Sequence, residues 1–303
     1  MNVITRNSKI IFMKLFFKVF SSILFLFVFN SLLACKSEEV VIPIPKPQII
    51  ENEKDTVVKV EKWKLTFSDE FNESGAPDET KWERQEYNRR NNSNGPDGWW
   101  SKEDSYLENG NLVIRVRTIP NKNTDNDLND YSVGALRTKG KFEQKYGKFE
   151  IRCKLPDKQG WWVAFWMMQG NVNSIDNQGI DGSEVDIMEA FGWGDKINQA
   201  IHWNGYGNEH KSVEKALMIP GVSDGFHTYT MEWYPEVYKF FIDGVETWSS
   251  TGGGVCNQPG YIKITGEIST ETWAIGNYWS REPNPESFPD YFLVDWVRVY
   301  SEN

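Results

Sequence analysis

The sequence is poor in the residues that metal and thiol chemistry need, with three His and three Cys in 303 residues. His202, His210 and His227 offer no pair at the close spacing of a zinc hydrolase, so zinc-assisted hydrolysis is not expected. No Cys/His cluster has metal-ligand spacing either. Basic charge is also short: 33 Lys and Arg stand against 43 Asp and Glu, a net charge of −10. Nucleic-acid binding requires clustered cations to neutralise phosphates, and no such cluster is present. Heptads, basic amphipathic runs and long helical patterns are missing too, which argues against helical bundles and α/β folds.

Aromatic side chains are plentiful, at 15% of residues with 14 Trp. Flat apolar rings suit the flat faces of sugars, although many of these indoles are expected to fill the core. The chain length and 39% apolar content suffice for one sizeable domain.

The N-terminus reads as a targeting segment. Arg6, Lys9, Lys14 and Lys18 precede an apolar run from Ile23 to Leu33, and Met13 would open a signal of ordinary length. Leu32-Leu33-Ala34-Cys35 follows, and it resembles the lipobox of bacterial lipoproteins. Residues 1–34 are therefore expected to be a signal peptide, with Cys35 lipidated as the membrane anchor. The acidic pair in Lys36-Ser37-Glu38-Glu39 resembles a surface-export signal, so an outer-membrane, cell-surface location is expected. Residues 35–60 hold Pro43, Pro45 and Pro47 with no periodic apolar face, and read as an extended tether. Of the other cysteines, Cys153 lies on the apolar face of an alternating run and Cys256 in a Gly-rich loop; pairing between them is left open.

Residues 61–303 read as β-structure. Leu112 to Val116 is a strand, Tyr146 to Leu155 and Phe226 to Trp233 alternate, and Tyr238 to Ile242 ends at the hairpin signal Asp243-Gly244. Tyr291 to Tyr300 makes a last strand. Many short strands with Gly, Asn and Pro turns predict an all-β sandwich.

The chemistry centres on Gly182-Ser183-Glu184-Val185-Asp186-Ile187-Met188-Glu189. Glu184 and Asp186 are two apart and share a strand face. Glu189 would fall on the other face unless a bulge near Ile187-Met188 returns it, with Val185 and one of Ile187 or Met188 in the core. Three acids on one face raise each other's pKa values and cost stability. Retaining glycoside hydrolysis uses such a set, with two carboxyls about 5–5.5 Å apart. An exposed acidic strand or a calcium site would show the same spacing.

These residues resemble glycoside hydrolase family 16, whose pattern Glu-x-Asp-x-x-Glu is met by Glu184, Asp186 and Glu189. The resemblance extends through Phe67-Ser68-Asp69-Glu70-Phe71, Tyr146-Gly147-Lys148-Phe149-Glu150, Trp162 to Trp166 with Met167, His227-Thr228-Tyr229 and Val294 to Tyr300. It implies a β-jelly roll of two curved antiparallel sheets with a concave substrate cleft. It implies Glu184 as nucleophile, Glu189 as acid/base and Asp186 as the assisting carboxylate. Trp162 and Trp166 would face the cleft, with His202-Trp203 beside the cleavage point, while His227 would be structural. No cofactor is implied for catalysis. A structural Ca²⁺ would be held by Glu70, the Gly110 carbonyl and Asp295.

The sequence departs from the usual laminarinase pattern at Trp162-Val163 and at Tyr87-Asn88-Arg89-Arg90, which is followed by Trp99-Trp100. Arg89 and Arg90 would meet sugar hydroxyls or an anionic group, and Trp100 would add a platform or close the core. The expected activity is that of a monomeric endo-β-glycosidase on a β-1,3- or mixed-linked glucan. A β-galactan of agar, porphyran or mucin type is the alternative, and a non-catalytic glycan-binding lipoprotein is the rival from another class.

Overall fold

The computed structural model describes residues 40–41, 62–91, 95–122, 128–191, 194–268 and 283–303. The signal segment, Cys35 and most of the proline-rich stretch lie outside them. Val40–Val41 pairs in parallel with Leu217–Met218, so part of the stretch read as a tether adds a short edge strand.

Two sheets account for nearly all regular structure, with two short 3₁₀ turns and no α-helix among the described residues. The eight-stranded sheet runs, from one edge, Val40–Val41, Lys211–Met218, Lys196–Trp203, Gly182–Ala190, Trp162–Gly170, Gly260–Glu267, Ala135–Arg137 and Glu83–Arg84. The eleven-stranded sheet is built around Phe226–Trp233, Gly147–Lys154, Asp290–Glu302 and Asn111–Ile119. The expected strands are all present. The predicted hairpin pairs Tyr238–Ile242 with Val245–Ser250 across Asp243-Gly244, both at positive φ as such a turn requires.

Alternation places the core between the sheets. Phe149, Ile151 and Cys153 point inward from the larger sheet, and Val163, Phe165, Met167, Val185 and Ile201 from the other, all fully buried. The opposite face of the smaller sheet is left to polar and aromatic side chains, and there the cleft lies. Cys153 and Cys256 are both buried and unpaired, so no disulfide joins them.

The chain ends are joined by pairing of Trp63–Asp69 with Asp290–Glu302. The expected calcium ligands do not form a free oxygen cage here. Arg298 grips both oxygens of Glu70, at 3.0 and 2.7 Å, and Arg152 holds Asp295. The Arg298 hydrogen bond holds the Glu70 carboxyl below the usual range. Gly110 sits in the tight Asn109-Gly110 turn, at φ 74°. Guanidinium groups already neutralise both carboxylates, so the residues present do not fit a divalent cation.

Candidate active site

The Gly182–Ala190 strand is irregular where the sequence required it. Phe165 pairs with Met188 and Trp166 with Asp186, leaving Ile187 as the extra residue. The same break appears toward the other neighbour, between Asp186 and Glu189. Two consecutive apolar side chains are turned inward, and Ile187 and Met188 are both fully buried. The expectation that only one of them would reach the core is corrected: the bulge curls the backbone enough for both. Glu184, Asp186 and Glu189 then line one cleft of about 900 Å³.

Each carboxylate has a distinct partner. Tyr206 donates its hydroxyl to Glu184 Oε2 at 2.5 Å. His202 Nε2 lies 3.2 Å from Asp186 Oδ2, and its Nδ1 meets His210 Nε2 at 3.0 Å. Asn198 Nδ2 donates to Glu189 Oε2 at 2.9 Å. His202 sits directly across from Glu184 in the strand register, and Asn198 across from Glu189.

The environments push the groups apart. Burial, reinforced by Asp186, raises the Glu184 carboxyl to about 7, against the pull of Tyr206 and His202. Burial and Asp186 hold Glu189 well above the carboxylate range. Burial pulls His202 down, but the Asp186 hydrogen bond and the surrounding carboxylates lift it to about 9. A cationic imidazole therefore sits among the acids at neutral pH. Such a set can keep one carboxyl protonated as a donor while another is ionised beside it.

The cleft gathers Trp162, Trp166, His202 and Arg89, as expected, and adds Tyr87, Met168, Tyr206, His210, Lys263 and Glu267. Two expected binding residues are elsewhere. Trp203 follows His202 by one position, so it faces the core and packs against Gly253. Trp100 is fully buried, donating its indole N–H to the Gly266 carbonyl at 2.8 Å. Its flat face does reach the site indirectly, under Arg89 at 4.8 Å. Trp166 is not a bare platform, since Lys263 Nζ lies 3.6 Å from its ring centre. His227 pairs with Asp243 at 2.6 Å, away from the cleft, and is structural as expected.

Of the residues that sequence reasoning missed, the Gly260–Glu267 wall had a readable signal. Tyr261, Lys263, Thr265 and Glu267 alternate with Ile262 and Ile264, the pattern of a strand with a polar cleft face. Tyr206 comes from the turn after the Lys196–Trp203 strand, and nothing local marks its contact with Glu184.

An open cleft lined by aromatic rings and a bulged strand of three carboxyls, on a two-sheet sandwich, defines a glycoside hydrolase. The family model described as glycosyl hydrolases family 16 matches residues 94–298, and the chain belongs to that family. The β-glucanase of Rhodothermus marinus is 29% identical over 264 residues, covering 80% of this chain and 86% of that protein. The keratan-sulfate endo-1,4-β-galactosidase of Sphingobacterium multivorum is 27% identical over 289 residues, 89% of this chain and 64% of that protein. Among solved structures, the catalytic domain of an endo-1,3-β-glucanase (laminarinase) from Thermotoga petrophila superposes with a TM-score of 0.64 at 29% identity. It covers 80% of this chain and 100% of that one.

Proposed function

We propose that this protein is a retaining endo-β-glycanase whose first substrate class is β-1,3- or mixed-linked glucan. The observation that carries the reading is the bulge at Ile187, which delivers Glu184, Asp186 and Glu189 to one cleft. In this reading Glu184 attacks the anomeric carbon. Tyr206 and His202 favour its ionised form and aim it. Glu189, half-buried beside a neutral amide, keeps its proton and donates it to the departing glycosidic oxygen. It then takes a proton from water as that water releases the glycosyl group. Asp186, bound to His202, assists by raising Glu189 so that the acid keeps its proton.

Glucan is supported by the β-glucanase and laminarinase similarity. A second reading, an endo-β-galactanase, is favoured by the keratan-sulfate galactosidase match and by a charged cleft wall of Arg89, Arg90 and Lys263. We further read the enzyme as a monomeric lipoprotein held at the outer membrane through Cys35. Replacing Cys35 by Ala should move it from the membrane to the soluble fraction.

The deciding experiment uses Glu184→Gln with laminarin, lichenan, agarose, porphyran and mucin glycans. Wild-type enzyme should cut at least one, releasing the β-anomer first by NMR. The variant should bind that same glycan without turnover. Early α-product, or near-normal rates in the variant, would sink the assignment. A protein that binds glycans but cuts none would instead be the glycan-binding lipoprotein.

A further inference from the structure

One wall of the cleft carries a cation that touches none of the three carboxylates directly and acts on Glu184 only through its charge. Lys263 is only 8% exposed and lines the cleft beside Glu184, Trp166 and Arg89. Among the described residues its Nζ has no hydrogen-bond or ion-pair partner. Its near neighbours are ring faces, Trp166 at 3.6 Å and Trp100 at 5.1 Å. An enclosed ammonium with no anion in direct contact is costly, and burial pulls Lys263 down to about 7 although the Glu267 and Glu184 carboxylates nearby oppose the shift. Beside it, Arg89 and Arg90 both turn to a single carboxylate, Glu267. Lys263, Arg89 and Arg90 thus cluster on Glu267, with Glu184 as the next anion to Lys263 and Arg89. Arg89 uses Nε and Nη2 on Glu267, at 3.2 and 3.0 Å, which leaves the two N–H groups of Nη1 outside that pair.

A neutral sugar entering this space would displace water from the ammonium and return only hydroxyl contacts. An anionic group would return a charge-assisted pair. We propose that Lys263 and Arg89 form a seat for an anionic substituent, a sulfate ester or a carboxylate, carried by a sugar ring bound next to the cleavage point. The seat is independent of whether the backbone is a glucan or a galactan, but it rests on the endo-glycanase reading for the way the chain lies in the cleft. Lys263 stands across from Trp166, and Trp166 across from Asp186, so the seat lies on the same cross-strand row as the middle carboxylate.

The test measures binding and turnover on matched ligands. Laminarin oligosaccharides are compared with their sulfated and C6-carboxylated forms, and agarose with porphyran oligosaccharides. At least one anionic form should bind wild-type protein about tenfold or more tightly than its neutral parent, the worth of one charge-assisted hydrogen bond. Which form wins distinguishes sulfate from carboxylate. Lys263→Met should erase the preference and Lys263→Arg should keep it. The proposal is overturned if no anionic form outbinds its parent in the wild type, a comparison that needs no variant to fold, or if Lys263→Met retains the preference. Cutting of neutral chains with no anionic preference would remove the seat and leave the endo-glycanase reading standing. Lys263-dependent anionic binding with no cleavage anywhere would do the reverse.

Discussion

Glu184 and Glu189 differ by what surrounds them more than by what they are, and variants at each should differ in kind. Glu189 has burial and one amide donor, so its task is to hold a proton. Glu189→Gln should lower turnover of polysaccharide by about 10²–10⁴-fold, the usual worth of a general acid. Its first step should recover on an aryl β-glycoside, whose leaving group needs no proton; equal loss on both substrates would show that Glu189 is not the acid. Glu184 also carries a stability cost that the pH dependence should expose. Below about 4.5, its ordinary value, folded and unfolded chains both hold the proton. As pH rises from there to about 7, the unfolded carboxyl ionises while the folded one does not, and stability falls. Glu184→Gln removes this penalty. At pH 8 the variant should be more stable than wild type by about 1–3 kcal/mol, and the two should melt together near pH 4. Thermal melts at both pH values check it. His202 runs the other way: its folded value of about 9 stabilises the protein below 6.5, and that contribution is lost as pH rises through 9.

The catalytic strand shows why the bulge is placed where it is. Five-residue spacing between Glu184 and Glu189 is odd, so strict alternation would bury Glu189, and one extra residue corrects it. Deleting Ile187 makes the spacing even and restores alternation. Glu189 should therefore stay on the cleft face, with measurable activity retained. The cost should be a lower melting temperature, from losing one buried side chain worth about 2–5 kcal/mol. A folded deletion variant with no activity would show that the curl of the bulge, and not the facing alone, sets Glu189. This strand was legible in the sequence because period-two logic forces a bulge whatever the neighbours are. The long alternating strands were legible for the same reason. Trp100 and Trp203 were misplaced because indole content does not say which face a ring takes; His202 facing the cleft already sends Trp203 to the core. The Tyr206–Glu184 contact was illegible because it is made from a turn, across 22 positions that only the folded sheet brings together. The ion pairs of Asp295 with Arg152 and of Glu70 with Arg298 were illegible because they depend on side-chain reach across strands, which spacing does not report.

At the scale of the whole molecule, the first and last strands pair, and Glu70–Arg298 fastens them. Since that fastening is an ion pair and not a metal cage, chelation with EDTA should leave the melting temperature unchanged. A drop of several degrees would reinstate the ion. The same architecture governs how the enzyme meets a polymer. The cleft crosses the smaller sheet from Tyr206 and His210 on one side to Tyr87, Arg89 and Arg90 on the other, with the carboxylates between these ends. From the His202 strand to the Lys263 strand there are three inter-strand steps, roughly 14 Å at sheet spacing, before the flanking residues are added. A substrate bound across that span has sugar rings on both sides of the reacting bond, so internal bonds are the ones presented to Glu184 and Glu189. On a polymer that it accepts, viscosity should fall well before reducing ends accumulate, and early products should form a ladder of oligomers. Release of a single mono- or disaccharide from the start, with viscosity lagging, would mean that one end of the cleft is closed to the chain.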